Sequence, residues 1–250
     1  MKPDELVEKL KEVLGSRVKS VILYGSAAAG DHLGQGSDYN ILVALERLGL
    51  DELNALVPIS DRWVKAGNPP PLLFTRDRFI QSADVFPIEI LDIRESHQVL
   101  LGEDLISELD VSKENLRLQL EHELKGKLIQ LRAGFLVTKR DAGRIVSLMV
   151  DSLSSFLVLA RAALRLIQDQ VPAQKMEALK LLARHFQFET TAFETVQQIK
   201  EGVLKARDVD AEMLFSKYLE TVEHLTDRVD SFLREASVEY APSGSKDKEH

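Results

Sequence analysis

Leu23-Tyr24-Gly25-Ser26-Ala27-Ala28-Ala29-Gly30-Asp31-His32-Leu33-Gly34-Gln35-Gly36-Ser37-Asp38-Tyr39-Asn40-Ile41-Leu42-Val43 is the stretch on which the fold of this 250-residue chain turns. It closes one β-rich run, Val18 to Tyr24, with a glycine, crosses small and polar residues, and opens a second β-rich run, Tyr39 to Leu45. A strand that ends in Gly25-Ser26 and turns straight into a small-residue helix leaves free backbone N–H groups beside a hydroxyl, an arrangement ready for an anion such as phosphate. Asp38 and Asn40 stand two apart at the head of the second run, so both side chains leave the same face of a sheet and can meet one metal ion.

Working outward, Met1 to Leu10 spaces its apolar residues as a short amphipathic helix, with no continuous apolar stretch of the kind a signal peptide carries. The apolar positions Leu50, Leu53, Leu56, Val57 and Trp63 predict a helix between Leu48 and Lys65, which Gly67-Asn68-Pro69-Pro70-Pro71 stops before a short strand at Leu72-Leu73-Phe74. Phe86 to Ile93 reads as a fourth strand, and on it Glu89 is an acid among apolar residues, where a buried carboxylate needs a cation or a donor beside it. From Ser112 onward the pattern is helical throughout. Ser112 is placed to cap a long helix running to Lys139, a second helix follows Asp141 to about Gln168, and three more fit the remainder, the last capped by Asp208. The predicted class is α+β, a mixed sheet with helices followed by an all-α bundle: residues 1–110, 111–238, and a polar tail over 239–250 expected to be disordered.

Composition narrows the classes. With 44% hydrophobic and 29% charged residues the chain can bury a large core or two modest ones, so intrinsic disorder is excluded. Without cysteine it has no disulfide, thiolate metal site or thiol nucleophile, and metal chemistry falls to oxygen ligands and histidine. No apolar run of about 18 residues predicts a membrane span, and a cytoplasmic protein is the default expectation. A net charge of −8 argues against general nucleic-acid binding through a basic surface.

Taken together, Gly25-Ser26, then Asp38-Tyr39-Asn40, then Glu89 resemble the nucleotidyltransferase superfamily that includes DNA polymerase beta and the kanamycin-type aminoglycoside nucleotidyltransferases. The resemblance covers about the first 105 residues, and the helical remainder is similar in kind to the second domain of many bacterial members. It implies a Gly-Ser turn that holds the triphosphate and carboxylates that hold two magnesium ions. By residue match, Gly25 and Ser26 cradle the nucleotide, Asp38 binds both metals, Asn40 sits at the second metal position, and Glu89 binds the metal nearest the acceptor. Asp92 is the competing acid; on a strand it faces away from Glu89. Two departures lower the expected activity. Asn40 offers a neutral amide where the family pattern has a carboxylate, and Ala27 and Ala29 stand where relatives often carry arginine.

Two functions follow as expectations. One is Mg²⁺-dependent transfer of a nucleoside monophosphate from a nucleoside triphosphate to a hydroxyl of a small-molecule or protein acceptor. The other is a catalytically degenerate nucleotide-binding, regulatory or interaction module of the same fold, with a homo-oligomer among its forms. Along the first long helix, Arg117, Glu121, Lys125 and Arg132 share an arc of roughly 80°, which either closes over the site or is a solvated face with intrahelical ion pairs. His122 and His185 read as surface residues, Trp63, Phe135, Phe156, Phe186 and Phe193 as core, and the acid-rich last helix as a solubility feature.

Overall fold

The computed structural model describes residues 1–25, 27–28, 38–107 and 109–239, with side chains up to residue 231. By contact the chain divides into two compact units, residues 1–116 and 117–250.

In the first unit helix α1 (Pro3–Leu14) leads into strand β1 (Val18–Tyr24), which pairs antiparallel with β2 (Asn40–Leu45), Tyr24 opposite Asn40. Helix α2 (Leu50–Lys65) crosses over to β3 (Leu72–Thr75), which pairs parallel with β2. Helix α3 (Arg76–Gln81), a 3₁₀ turn and helix α4 (Pro87–Glu95) come next, and β4 (His97–Gly102) returns antiparallel to β1. The sheet is mixed, in the order β3-β2-β1-β4. Gly102 holds φ +80°, and a Cβ there would lie 1.9 Å from the Lys19 carbonyl oxygen, so only glycine lets β4 run this close to β1.

The expected strand over Phe86–Ile93 is therefore a helix, and the fourth strand lies just after it. The run Ile88, Ile90, Leu91, Ile93 is apolar enough for either element, and the punctuation decides. Pro87 occupies the first helical position with its φ already set, Glu89 stands in the first turn and Arg94 in the last, each at the helix end its charge favours.

Alternation along the strands sorts the core into two faces. Val21, Leu23, Ile41, Val43 and Leu45 pack with Leu6, Leu10, Leu56, Ile59 and Trp63 under α1 and α2. Ile22, Leu42 and Ala44 pack with Phe79, Ile90, Ile93, Leu105 and Ile106 on the opposite face. Beneath α2 the Glu52 carboxylate is buried and accepts from Gly49 N (2.9 Å), Arg47 Nη2 (3.1 Å) and Arg17 Nη1 (3.0 Å). The Gly49 N–H first and the Arg47 guanidinium next hold its carboxyl down at about 2.

The second unit is helical: α5 (Lys113–Val137), α6 (Ala142–Ile167), α7 (Lys175–Phe186), α8 (Thr191–Lys200) and α9 (Ala211–Glu239). Ser112 Oγ accepts from Asn115 N and Asp141 Oδ1 from Arg144 N, capping α5 and α6 as their spacing predicts. The last helix is capped by Asp210, whose carboxylate accepts from Met213 N, and not by Asp208, which ends a separate 3₁₀ turn. Helix α6 is long and apolar enough to cross a membrane by length and composition, yet 56% of its apolar window is buried inside the structure, as in a core helix. Phe156, Phe193 and Tyr218 are buried around it, Phe193 and Tyr218 stacked with centroids 4.4 Å apart. Phe135 stacks on Phe215 at 4.4 Å, while Phe186 is half-buried.

The charged arc of α5 is a seam to α9. Lys125 Nζ bonds Glu121 Oε1 (2.6 Å) and Asp230 Oδ1 (3.0 Å), and Arg132 Nη2 bonds Glu223 Oε1 (2.7 Å). The Lys125–Glu121 pair is the intrahelical ion pair expected of that arc, and the links to Asp230 and Glu223 add structural partners among the acids of the last helix. The polar tail beyond Glu239 lies outside the described residues.

Candidate functional site

The head of β2 is fixed from the buried side. Tyr39 packs against the core under α1 and α2, its ring centroid 6.2 Å from that of Trp63, and its N–H donates to the buried Asn68 Oδ1 at 3.0 Å. Trp63 Nε1 in turn donates to Pro69 O at 2.8 Å. With Tyr39 drawn to one face, Asn40, the first residue of β2, is directed to the other, and Asp38 precedes the strand. Asp38 is exposed and Asn40 half-buried.

On the β1 side the turn begins at Gly25, which holds φ +81°. A Cβ built there would lie 3.5 Å from Asn40 Nδ2, so the Asn40 amide lies directly against the glycine. The Gly25 N–H donates to Ser96 O (2.9 Å), at the end of α4, and its carbonyl accepts from Ala28 N (3.0 Å). The turn is thereby tied to the helix that carries Glu89. Ser26 and the spacer 29–37 lie outside the described residues.

Register adds residues that sequence reasoning missed. Tyr24 pairs with Asn40 on one side and His97 on the other, so Asn40, Tyr24 and His97 form a row across the end of the sheet. Burial raises the Tyr24 phenol above its ordinary value. His97 is held by Arg94 O at Nδ1 (3.0 Å) and by Asp104 at Nε2 (3.3 Å). Burial pulls the Asp104 carboxyl upward, but the Ser107 hydroxyl and N–H, His97 and the Ile106 N–H outweigh it and bring it to about 2. The signal for Tyr24 and His97 was strand pairing, which only a placed β4 reveals.

Glu89 is exposed in the first turn of α4, contrary to the buried strand acid expected there. Asp92, three residues on, shares its side of the helix instead of opposing it. Glu89 lines an open groove of about 280 Å³ whose other walls include Leu42, Leu72, Phe74, Phe86 and Ile90. Leu42 is two residues beyond Asn40, so Asn40 and Leu42 run along one face of β2 into the groove that Glu89 borders.

Magnesium takes near-octahedral oxygen ligands and usually keeps waters, with one or two carboxylates and substrate phosphates completing its shell. Asp38 and the amide oxygen of Asn40, next to the Gly25 turn, are oxygen donors of the kind that would hold one such ion arriving with a nucleotide. Among the described residues no three acidic or histidine side chains gather.

Three comparisons bear on this geometry. The family profile described as nucleotidyltransferase domain matches residues 4–97. Spectinomycin adenyltransferase AAD(9) from Enterococcus faecialis, crystallised with ATP and spectinomycin, superimposes with a TM-score of 0.52 at 14% identity, over 90% of this chain and 98% of that one. At that identity the likeness concerns the fold. No curated protein matches the chain in sequence. The glycine turn, the polar head of β2 and the profile over this same segment agree, and the N-terminal unit is a nucleotidyltransferase-superfamily domain joined to a helical second unit.

Proposed function

We propose that the protein transfers a nucleoside monophosphate from a nucleoside triphosphate to a hydroxyl of a small-molecule or protein acceptor. The observation that carries this reading is the juxtaposition at the head of β2: the Asn40 amide against the Gly25 turn, with the exposed Asp38 two residues before it. Backbone amides of the turn, with Ser26, hold the phosphates, and Asp38 with Asn40 holds a magnesium ion that neutralises charge on them. Glu89 works on the acceptor side, at the rim of the groove. As the acceptor oxygen bonds to the α-phosphorus its proton passes to the Glu89 carboxylate, the bond from the α-phosphorus to the bridging oxygen breaks, and pyrophosphate leaves. Asp92 is the alternative acid for this step. ATP is the first donor to try, since AAD(9) was crystallised with it.

One observation favours a second reading, a nucleotide-binding module without turnover: Asn40 contributes no charge, and the described residues gather no trio of acids. The two readings separate in an assay of label transfer from α-phosphate-labelled ATP, GTP, CTP and UTP into pooled metabolites and proteins. Transfer by the native chain that falls about a thousandfold in Asp38→Ala, the cost of losing several kcal/mol beside the ion, supports the enzyme. Transfer that appears only in Asn40→Asp supports the module. Transfer indifferent to Asp38→Ala contradicts both.

A further inference from the structure

The groove of about 280 Å³ beside Glu89 belongs wholly to the first unit. Strands β2 and β3 pair with Leu42 opposite Leu72 and Ala44 opposite Phe74, so these side chains share the face of β2 that begins at Asn40. The buried Leu42, Ile90 and Ile93 line the groove from the core side, and Phe86 and Leu72, exposed by 44% and 43%, line it from the solvent side. Of the described residues that line it, only Glu89 is charged. The one other polar side chain, Ser82, donates its hydroxyl to Phe79 O at 2.6 Å, within its own turn.

This lining discriminates among acceptors by what it leaves unmatched. A polyhydroxylated or polycationic acceptor seated here would press hydroxyl or ammonium groups against leucine, isoleucine and phenylalanine, and each buried polar group without a partner costs free energy. An apolar body with one hydroxyl at the Glu89 rim leaves no such group. Resting on the nucleotidyl-transfer reading above, we propose that the acceptor is a small free phenol, its ring system in this groove and its hydroxyl beside Glu89. The size agrees: a cavity of about 150 Å³ holds one benzene, so a groove of 280 Å³ takes a bicyclic ring or a ring with a short alkyl chain, and a lone tyrosine side chain would leave much of it empty. The aromatic walls favour a ring over an alkyl chain, since edge-to-face contacts add to the burial of area, as in the Phe74–Phe79 pair with centroids 5.4 Å apart. The chemistry favours a phenol over an aliphatic alcohol. Asn40 brings no charge to the metal position, so the acceptor hydroxyl receives less help in losing its proton, and a phenol has a pKa of about 10, as in tyrosine, against about 16 for water. As the phenolic oxygen bonds to the α-phosphorus its proton passes to the Glu89 carboxylate, the bond from the α-phosphorus to the bridging oxygen breaks, and pyrophosphate leaves.

The test is calorimetric titration of the full chain with 2-naphthol without nucleotide, followed by label transfer from α-phosphate-labelled ATP and Mg²⁺ to 2-naphthol or to glucosamine, a hydroxylated cation. Saturable binding is expected, with a Kd on the order of 1 mM or tighter for a ligand of about eleven non-hydrogen atoms. Leu72→Asp and Phe86→Ser, both at exposed positions, should melt as the native chain does and weaken that binding about tenfold or more, since each sets a polar group against the ring. Transfer to 2-naphthol should exceed transfer to glucosamine by about tenfold or more. Absence of saturable binding overturns the inference, and so does binding that both variants leave intact. Transfer that favours glucosamine, or that reaches pooled metabolites but not 2-naphthol, overturns it as well. Because the titration needs no nucleotide, a chain that binds 2-naphthol through Leu72 and Phe86 yet labels no acceptor at all contradicts the nucleotidyl-transfer reading and leaves the groove a phenol-binding site.

Discussion

The two faces of the central sheet are built from the same four strands and differ in what they do at the head of β2. On the face under α1 and α2 the apolar series runs unbroken to the end, with Tyr39 finishing it against Trp63. On the other face the series Ala44, Leu42 stops at Asn40, the first residue of β2, with the exposed Asp38 just before the strand. One set of strand positions thus goes wholly to the core, and the other ends in a polar amide.

The largest effect that separates the faces belongs to Trp63. Trp63→Ala removes the biggest side chain of the closed core and should cost about 3–5 kcal/mol in a denaturant or thermal melt of the first unit. Nucleotide affinity per folded molecule should be retained. A loss of binding without loss of stability would break the division of labour. Next comes the Glu52 cluster on the same face. Its carboxyl is lowered in the folded chain from 4.5 to about 2, so the unfolded chain takes up the proton first. Its contribution is complete above about pH 4.5 and disappears as the pH falls toward 2. Glu52→Gln should therefore narrow its gap in thermal midpoint from the native chain across that window. A gap constant from pH 7 to pH 3 would contradict the buried network. The smallest effect lies in the second unit, where ion pairs sit at the surface. Arg132→Ala, which breaks the contact to Glu223, should cost less than about 1 kcal/mol and lose even that at high salt.

The same contrast explains what was legible in the sequence. Strands β1 and β2 follow from unbroken apolar, β-branched runs bounded by glycine or polar residues, since both faces of the sheet are covered, and helix α2 follows from the repeat of its buried side. The segment 86–93 is covered on most sides, its apolar residues carry little periodic signal, and only Pro87, Glu89 and Arg94 encode the helix. That error placed Glu89 on a strand and hid β4, and with it the row formed by His97 and Tyr24. Asp38 and Asn40 stand out in the sequence as polar residues at the head of an apolar run, and the structure opens β2 at Asn40 with Asp38 just before it. The α5 arc was legible only in its intrahelical Glu121–Lys125 pair, because the other acids that meet Lys125 and Arg132 are Asp230 and Glu223, about a hundred residues away. A local cap misread by two residues, Asp208 for Asp210, has the same character: both are acids before a helix, and only the geometry of the first turn selects one.

The central claim is that the open face still forms a metal-dependent nucleotide site through Asp38. It is tested most directly by calorimetric titration of the native chain and of Asp38→Ala with ATP, each in Mg²⁺ and in EDTA. The account predicts binding by the native chain that weakens at least tenfold in EDTA, and an Asp38→Ala variant that melts like the native chain but has lost that difference. Binding of equal strength in all four titrations would contradict it.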